Sequence, residues 1–322
     1  MREVIRKIPK VELHLHLDGS VMIETAVELT GSSREDLIVE MVASDKCDNL
    51  SDYLTRFDLP ISIMKSRDNL YRVAKDLVNY LERENVVYAE VRFAPMFHVS
   101  EGLSYEEVVS SVIDGLNTSN KVKTNLILCM MRGMNKEDNI KTIEVASKYL
   151  GKGVCAVDLA GAEDKYPLDE YIELFDLVKE YNIPFTIHAG ENGSYREVEK
   201  AIEIGAKRIG HGIHAIDNSD TIDLIKEMNV LLEVCPTSNV QTNAVGNYLE
   251  HPVRKLYDMG VKLNINTDNV TVSNVSISEE YEKLVECFNF SEDDFRMINK
   301  NAIEASFITR DEKDELLNKY FS

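Results

Sequence analysis

Seven histidines occur in the 322 residues, and four of them stand where a nitrogen donor could do chemistry. His14 and His16 lie two apart in VELHLHLDG. On a strand that spacing points both imidazoles to one face and leaves Leu13, Leu15 and Leu17 on the other. Taken alone, the pair fits a polar strand face as well as it fits a metal site. His188 ends the run PFTIHA, and Glu191 follows across the small-residue turn of HAGE. A lone histidine there suits a structural hydrogen bond as readily as a metal, while a carboxyl lifted onto a loop suits proton transfer. His211 sits between glycines in RIGHGIH, which let the backbone approach a neighbour closely. Asp268 ends an apolar run in LNINTDN and could, singly, be a helix cap.

These groups gain meaning from the elements that must carry them. Short apolar runs rich in β-branched residues begin at Val11, Val86, Thr124, Val154, Pro184, Arg208, Val230 and Val261. Each reads as a strand buried on both faces. Amphipathic stretches such as YIELFDLVKEY and SYREVEKAIEIGA lie between them, with apolar residues at three- and four-residue spacing. Eight strand–helix alternations with right-handed crossovers predict a (β/α)8 TIM barrel, and an open doubly wound sheet is the competing architecture. A helical insertion in a connection of about 65 residues after the first strand, and a helical extension from about Ser278, fall outside the repeat. No linker or low-complexity tract divides the chain, so residues 1–322 are expected to form one domain. In such a barrel the histidines, Glu191 and Asp268 all sit where strands one, five, six and eight end. Those ends converge on the C-terminal face, where barrel enzymes carry their active sites. Three neutral histidines and a carboxylate make a zinc shell with room for a water.

Composition narrows the partners. The formal charge of -20 with no basic block argues against a polyanion such as nucleic acid, which clustered Lys and Arg would have to neutralise. A neutral small molecule is compatible. No run of eighteen apolar residues predicts a membrane span, and the N-terminus has no apolar signal region, so a cytoplasmic enzyme is expected. Cys47, Cys129, Cys155, Cys235 and Cys287 are scattered and form no CxxC, which reads as reduced thiols.

The ordered series HLHLDG, DLAGAE, HAGE, RIGHGIH, CPTSN and NTDN, from Lys10 to about Glu279, resembles the motif series of the adenosine deaminase family, zinc hydrolases built on a (β/α)8 barrel. The resemblance implies one Zn2+ bound by His14, His16, His188 and Asp268. It implies Glu191 as proton donor, and His211 as the group that orients and helps deprotonate the attacking water. His16, Asp18, Gly161 and Asn269 would face a purine nucleoside: Asp18 at the ribose, Gly161 offering its backbone N–H to the purine, Asn269 beside N7. Many members carry a second aspartate where this chain has Asn269. The chemistry agrees, since attack on C6 pushes charge onto N1 and a neutral Glu191 could protonate it.

Other readings remain open at this level. Tyr53, Leu54 and Phe57 share a helical face in SDYLTRFDL, as an apolar lid or as plain core packing. Cys235-Pro236 reads as a structural turn; His98, His214 and His251 show no partner. A deaminase of adenine, AMP or an aminofutalosine, or a zinc-holding binding protein without catalysis, would share most motifs. VCAVDLAG offers no lysine to bridge two metals, so one ion is expected.

Overall fold

The computed structural model describes residues 2–100 and 102–321, and its eight strands are parallel to their neighbours. They are β1 (Lys10–His16), β2 (Val86–Phe93), β3 (Lys123–Met131), β4 (Val154–Ala160), β5 (Ile187–Ala189), β6 (Arg208–His211), β7 (Leu231–Val234) and β8 (Lys262–Ile265). Two runs of four, β1 to β4 and β5 to β8, are joined by the bridges Val157–Phe185 and Leu15–Asp268. The second bridge closes the ring, with His16 N–H donating to the Asp268 carbonyl at 2.7 Å and Asp268 N–H to that of His14 at 3.1 Å. The predicted TIM barrel is what forms.

Helices cover the outside because their sequences have one apolar face and firm ends. Tyr195–Ile204 starts at the Ser194 cap, buries Val198, Ala201 and Ile202, and stops at Gly205, whose φ of 111° no β-carbon favours. Burying each such Val or Ile contributes about 1.5–3 kcal/mol. Of the long connection after β1, Arg67–Arg83 is the crossover helix itself, so the true insertion is 17–66. At the other end, Glu292–Ala305 packs on β8 and β1, and the Asn299 side chain accepts from Val11 N–H at 2.8 Å. The predicted C-terminal extension therefore supplies part of the barrel wall. No helix among the described residues is long and apolar enough to cross a membrane.

Two expectations fail inside the ring. Pairing of β1 with β2 slips between Glu12 and Leu15, so alternation breaks: Leu13 packs with Val11, Tyr88 and Leu231, apart from Leu15 and Leu17. More importantly, the interior is charged. Arg92 binds Asp158 and Glu233, both at 2.8 Å; Arg208 binds Glu233 at 2.6 Å and also pairs with Glu90; all five side chains are fully buried. Phe307 closes the lower end, its ring 4.1 Å from the Arg208 guanidinium. Removing one partner of such a network strands charges in low dielectric. Arg92→Met should therefore destabilise the protein by about 3–5 kcal/mol, measured by denaturant unfolding. A loss under about 1 kcal/mol would show that the network holds no uncompensated charge.

Candidate active site

That charged interior is the floor on which the histidines stand. His14 is fully buried, and its Nδ1 lies 2.9 Å from Glu233 Oε2. His188 Nδ1 lies 2.9 Å from Asp158 Oδ2. The hydrogen bond to Glu233 places a proton on His14 Nδ1 and leaves its Nε2 as the free donor nitrogen, as carboxylates behind metal-binding histidines do, and Asp158 stands in the same place behind His188. Arg92 ties the two carboxylates together, so both imidazoles are aimed by one guanidinium.

The free nitrogens converge. Asp268 Oδ1 lies 3.4 Å from both His14 Nε2 and His16 Nε2. Donor atoms of His14, His16 and His188 lie within 4.8 Å of one another, as do those of His14, His211, Cys235 and Asp268. The His14–His188 ring centroids are 4.5 Å apart. Burial keeps His16 neutral, its pKa pushed down to about 3, and lowers that of His188 too. His14 Nε2 is buried without a hydrogen-bond partner. Two Nε2 atoms facing one carboxylate oxygen leave a place that a cation would satisfy, and the ring of His14 is common to the group with His16 and His188 and to the group with Asp268. Gly210 makes the room: a β-carbon there would come 3.0 Å from the His14 ring.

Backbone strain marks the same place. Eight non-glycine residues among those described have positive φ, and six are asparagines. The other two are His211 (61°) and Asp268 (60°), a conformation that costs such residues about 1–3 kcal/mol. Strain of this kind persists where surrounding bonds fix the geometry. Ser238 donates to Asp268 at 2.6 Å and Asn239 contacts His211 Nδ1 at 2.9 Å.

The second of those contacts has a direction. Val253 N–H donates to His251 Nδ1 at 3.1 Å, so His251 carries its proton on Nε2. That N–H donates to Asn239 Oδ1 at 3.2 Å, which leaves the Asn239 amide to donate to His211 Nδ1. Neutral His211 therefore presents Nε2–H to the site, 3.6 Å from Glu191 Oε2. In this tautomer Nε2–H can orient an oxygen, while helping to deprotonate it would need the other tautomer. His251, without a partner in sequence, is the second link of this relay.

Glu191 is buried, and its carboxyl is pushed well above the ordinary range by burial first, then by the charges of Asp268 and Glu163. Thr242 donates to Oε1 at 2.9 Å, which leaves Oε2 as the protonated oxygen facing the cavity. That cavity, about 440 Å³, is bordered by His16, Asp18, Gly161, His188, Glu191, His211, Asp268 and Asn269. Leu50, Tyr53, Leu54, Phe57 and Ile61 from the insertion also border it. The lid and core-packing readings of that helix are both met, since buried Tyr53 clusters with Ala43 and Val272 while bordering the cavity.

Three further residues of the site have contacts that the sequence did not reveal. Gly161 has φ 103°, and a β-carbon would run to Arg132 at 3.2 Å, so the turn demands glycine whatever approaches it. The Asn269 amide donates to Tyr53 OH at 2.9 Å, leaving one further N–H on that nitrogen. Its Oδ1 faces Gly19, where a β-carbon would overlap it at 1.8 Å. Cys235, read as part of a turn, has its thiol beside the cluster; burial raises its pKa well above the usual value and keeps it protonated.

Clustered imidazoles and a carboxylate, on the C-terminal mouth of such a barrel and beside a cavity, define a metal-dependent hydrolase of the amidohydrolase type. Within that class the chain belongs to the adenosine deaminase family, whose sequence profile, described as adenosine deaminase, matches residues 9–321. An adenosine deaminase of Clostridium kluyveri is 39% identical, covering 100% of this chain and 96% of its own. One from Clostridium perfringens is 41% identical over 96% and 97%. Among solved structures, the N6-mAMP deaminase of Arabidopsis superimposes with a TM-score of 0.88 at 25% identity, covering 99% of both chains.

Proposed function

We propose that this chain, as one catalytic domain, hydrolyses the 6-amino group of adenosine and 2'-deoxyadenosine to give the inosine product and ammonia, using one zinc ion. The observation that carries the reading is Glu191, a buried carboxyl that borders the cavity 3.6 Å from His211 and beside the histidine cluster, with a pKa that burial raises. His14, His16, His188 and Asp268 would hold the zinc; three imidazole nitrogens and a single carboxylate suit its donor preference. When bound, zinc lowers the pKa of a coordinated water to about 7 and so supplies a nucleophile at neutral pH. His211, through Nε2–H, orients the attacking oxygen toward C6. Glu191 gives its Oε2 proton to N1 as charge develops there; when the C6–N6 bond breaks, one of the attacking water's two protons leaves with the amine as ammonia and the other reprotonates Glu191. The apolar side chains of the insertion exclude bulk water.

Substrate size follows from the cavity wall. It carries Asp18 and Asp58 and no lysine or arginine. A ribose hydroxyl suits Asp18; a phosphate would meet like charge and no cation. This favours a nucleoside over a nucleotide, although the Arabidopsis relative acts on a nucleotide. Five unbridged thiols suit a reducing cytoplasm. Purified protein mixed with adenosine, AMP or adenine should convert only adenosine rapidly, read as the ultraviolet shift to inosine. Faster turnover of AMP or adenine would overturn the assignment.

Purine N7 accepts only, so the remaining Asn269 N–H can donate to it, and 7-deazaadenosine should be the poorer substrate. An unpaired buried donor costs about 1–3 kcal/mol, about ten- to a hundredfold in kcat/KM. The preference should vanish in Asn269→Ala. Equal discrimination by wild type and variant would show that Asn269 serves only the Tyr53 hydroxyl and the turn.

A further inference from the structure

Glu163 in DLAGAE lies close enough for its charge to raise the pKa of Glu191, and its carboxylate is among the most heavily bonded in the molecule. Gly190 N–H donates to Oε2 at 2.8 Å, while those of Glu191, Asn192 and Gly193 donate to Oε1 at 2.5, 2.6 and 2.8 Å. Four successive amides curl around one anion. The side chain is only 5% exposed, so these are charge-assisted bonds in a site with little water. Strand β5 has ended at Ala189, and the next helix begins only at Tyr195. The turn between them has no ladder or helix of its own.

The sequence makes room for this arrangement. Gly190 takes φ 68°, which turns the chain so that its amide joins the others. A β-carbon on Gly193 would come 2.8 Å from Glu163 Oε2, so a glycine there admits the carboxylate. Arg132 braces the same stretch by donating to the His188 carbonyl at 2.8 Å. The second residue of the clamped turn is Glu191. Its side chain can be no better placed than the backbone that carries it.

We propose that Glu163 is the positioning residue of the proton donor: its carboxylate fixes the 190–193 turn and thereby aims Glu191 at the substrate. This rests on Glu191 being the donor, as proposed above. Proton donation matters in the transition state, so misaiming the donor lowers kcat and leaves KM nearly unchanged. A misplacement of about 1 Å costs about a hundredfold. Glu163→Ala should lose about that factor in kcat, with KM within a few-fold and metal content unchanged. Glu163→Gln keeps one accepting oxygen and should recover part of the loss. Gly193→Ala, which crowds the carboxylate from the other side, should also lower kcat. If Glu163→Ala fails to fold, these last two carry the test.

The decisive measurement is the pair. Because Glu163 acts through Glu191, Glu163→Ala combined with Glu191→Gln should be no slower than Glu191→Gln alone. A purely structural Glu163 would cost the same factor in both backgrounds, and multiplying effects would overturn the inference. So would wild-type kcat in the Glu163 variants while Glu191→Gln is slow. Near-normal turnover of Glu191→Gln would instead overturn the donor assignment itself, a distinguishable result.

Discussion

Glu191→Gln should lower kcat on adenosine by at least about 10²–10⁴-fold, the range for a general acid, with metal content unchanged. The substitution is well matched: glutamine keeps the length, the acceptor for Thr242 at Oε1 and a donor pointed at the cavity. It removes only the transferable proton. Burial, Asp268 and Glu163 raise the carboxyl's pKa well above the ordinary range, which favours the protonated, donating form. The sign follows: wild-type kcat is retained below that raised pKa and falls as pH rises through it, as the donor loses its proton. In Glu191→Gln that alkaline fall should be absent. Metal analysis and steady-state rates across pH check both statements. Turnover near wild type in Glu191→Gln would mean another group protonates N1, and a retained alkaline fall would place the titration elsewhere. An adenosine analogue with a tetrahedral, hydroxyl-bearing carbon at C6 should also bind wild type far more tightly than substrate, as complementarity to the transition state requires.

Much of this site is legible in the chain because a parallel barrel has a simple rule of placement. Each strand is a short apolar run, and a polar residue at its C-terminal end must lie at the active face. His14, His16, His188, His211 and Asp268 obey that rule, so order along the sequence becomes proximity in space. The insertion and the tail are legible only as extra helices. That Glu292–Ala305 packs on β1 and β8 depends on contacts between residues nearly 290 apart, such as Val11 with Asn299.

What sequence reading missed shares one cause: each missed group acts through a partner on another strand or loop. Arg92, Asp158, Arg208 and Glu233 lie in runs that read as apolar, VVYAEVRFA, VCAVDLA, RIGHGI and VLLEVC. Their alternating positions in those strands were a usable signal, because a charge inside an apolar strand must find an opposite charge once the ring closes. Asn239, Thr242 and His251 had no such signal. They follow β7 on loops and one short helix, and their purpose appears only when their hydrogen bonds are traced to His211 and Glu191. The Leu13 slip is similar, since a bulge in β1 depends on its register with β2.

Removing the metal should abolish turnover while leaving the barrel folded. The reason is a division of labour in the structure. The outer shell between strands and helices is apolar and continuous, from Leu15 and Val91 to Leu232 and Leu263, and needs no ion. The ion pairs of Arg92 and Arg208 are closed among protein groups alone. At the meeting point of His14, His16, His188 and Asp268, by contrast, His14 Nε2 is buried and unpartnered, a lone pair that a bound cation would satisfy. A ligand held by the folded state alone stabilises by RT ln(1 + [L]/Kd), about 4 kcal/mol at a thousandfold excess over Kd. Chelated protein should therefore keep its far-ultraviolet circular dichroism, unfold at a lower temperature and show no deamination. One equivalent of Zn2+ per chain should restore both rate and melting temperature. His14→Ala should bind zinc weakly and stay inactive after the same addition, because Glu233 stays paired with Arg92 and Arg208 behind the lost imidazole. Fully active protein without a stoichiometric transition metal would refute the metal site. Global unfolding on chelation would refute the division between an ion-dependent mouth and a self-sufficient core.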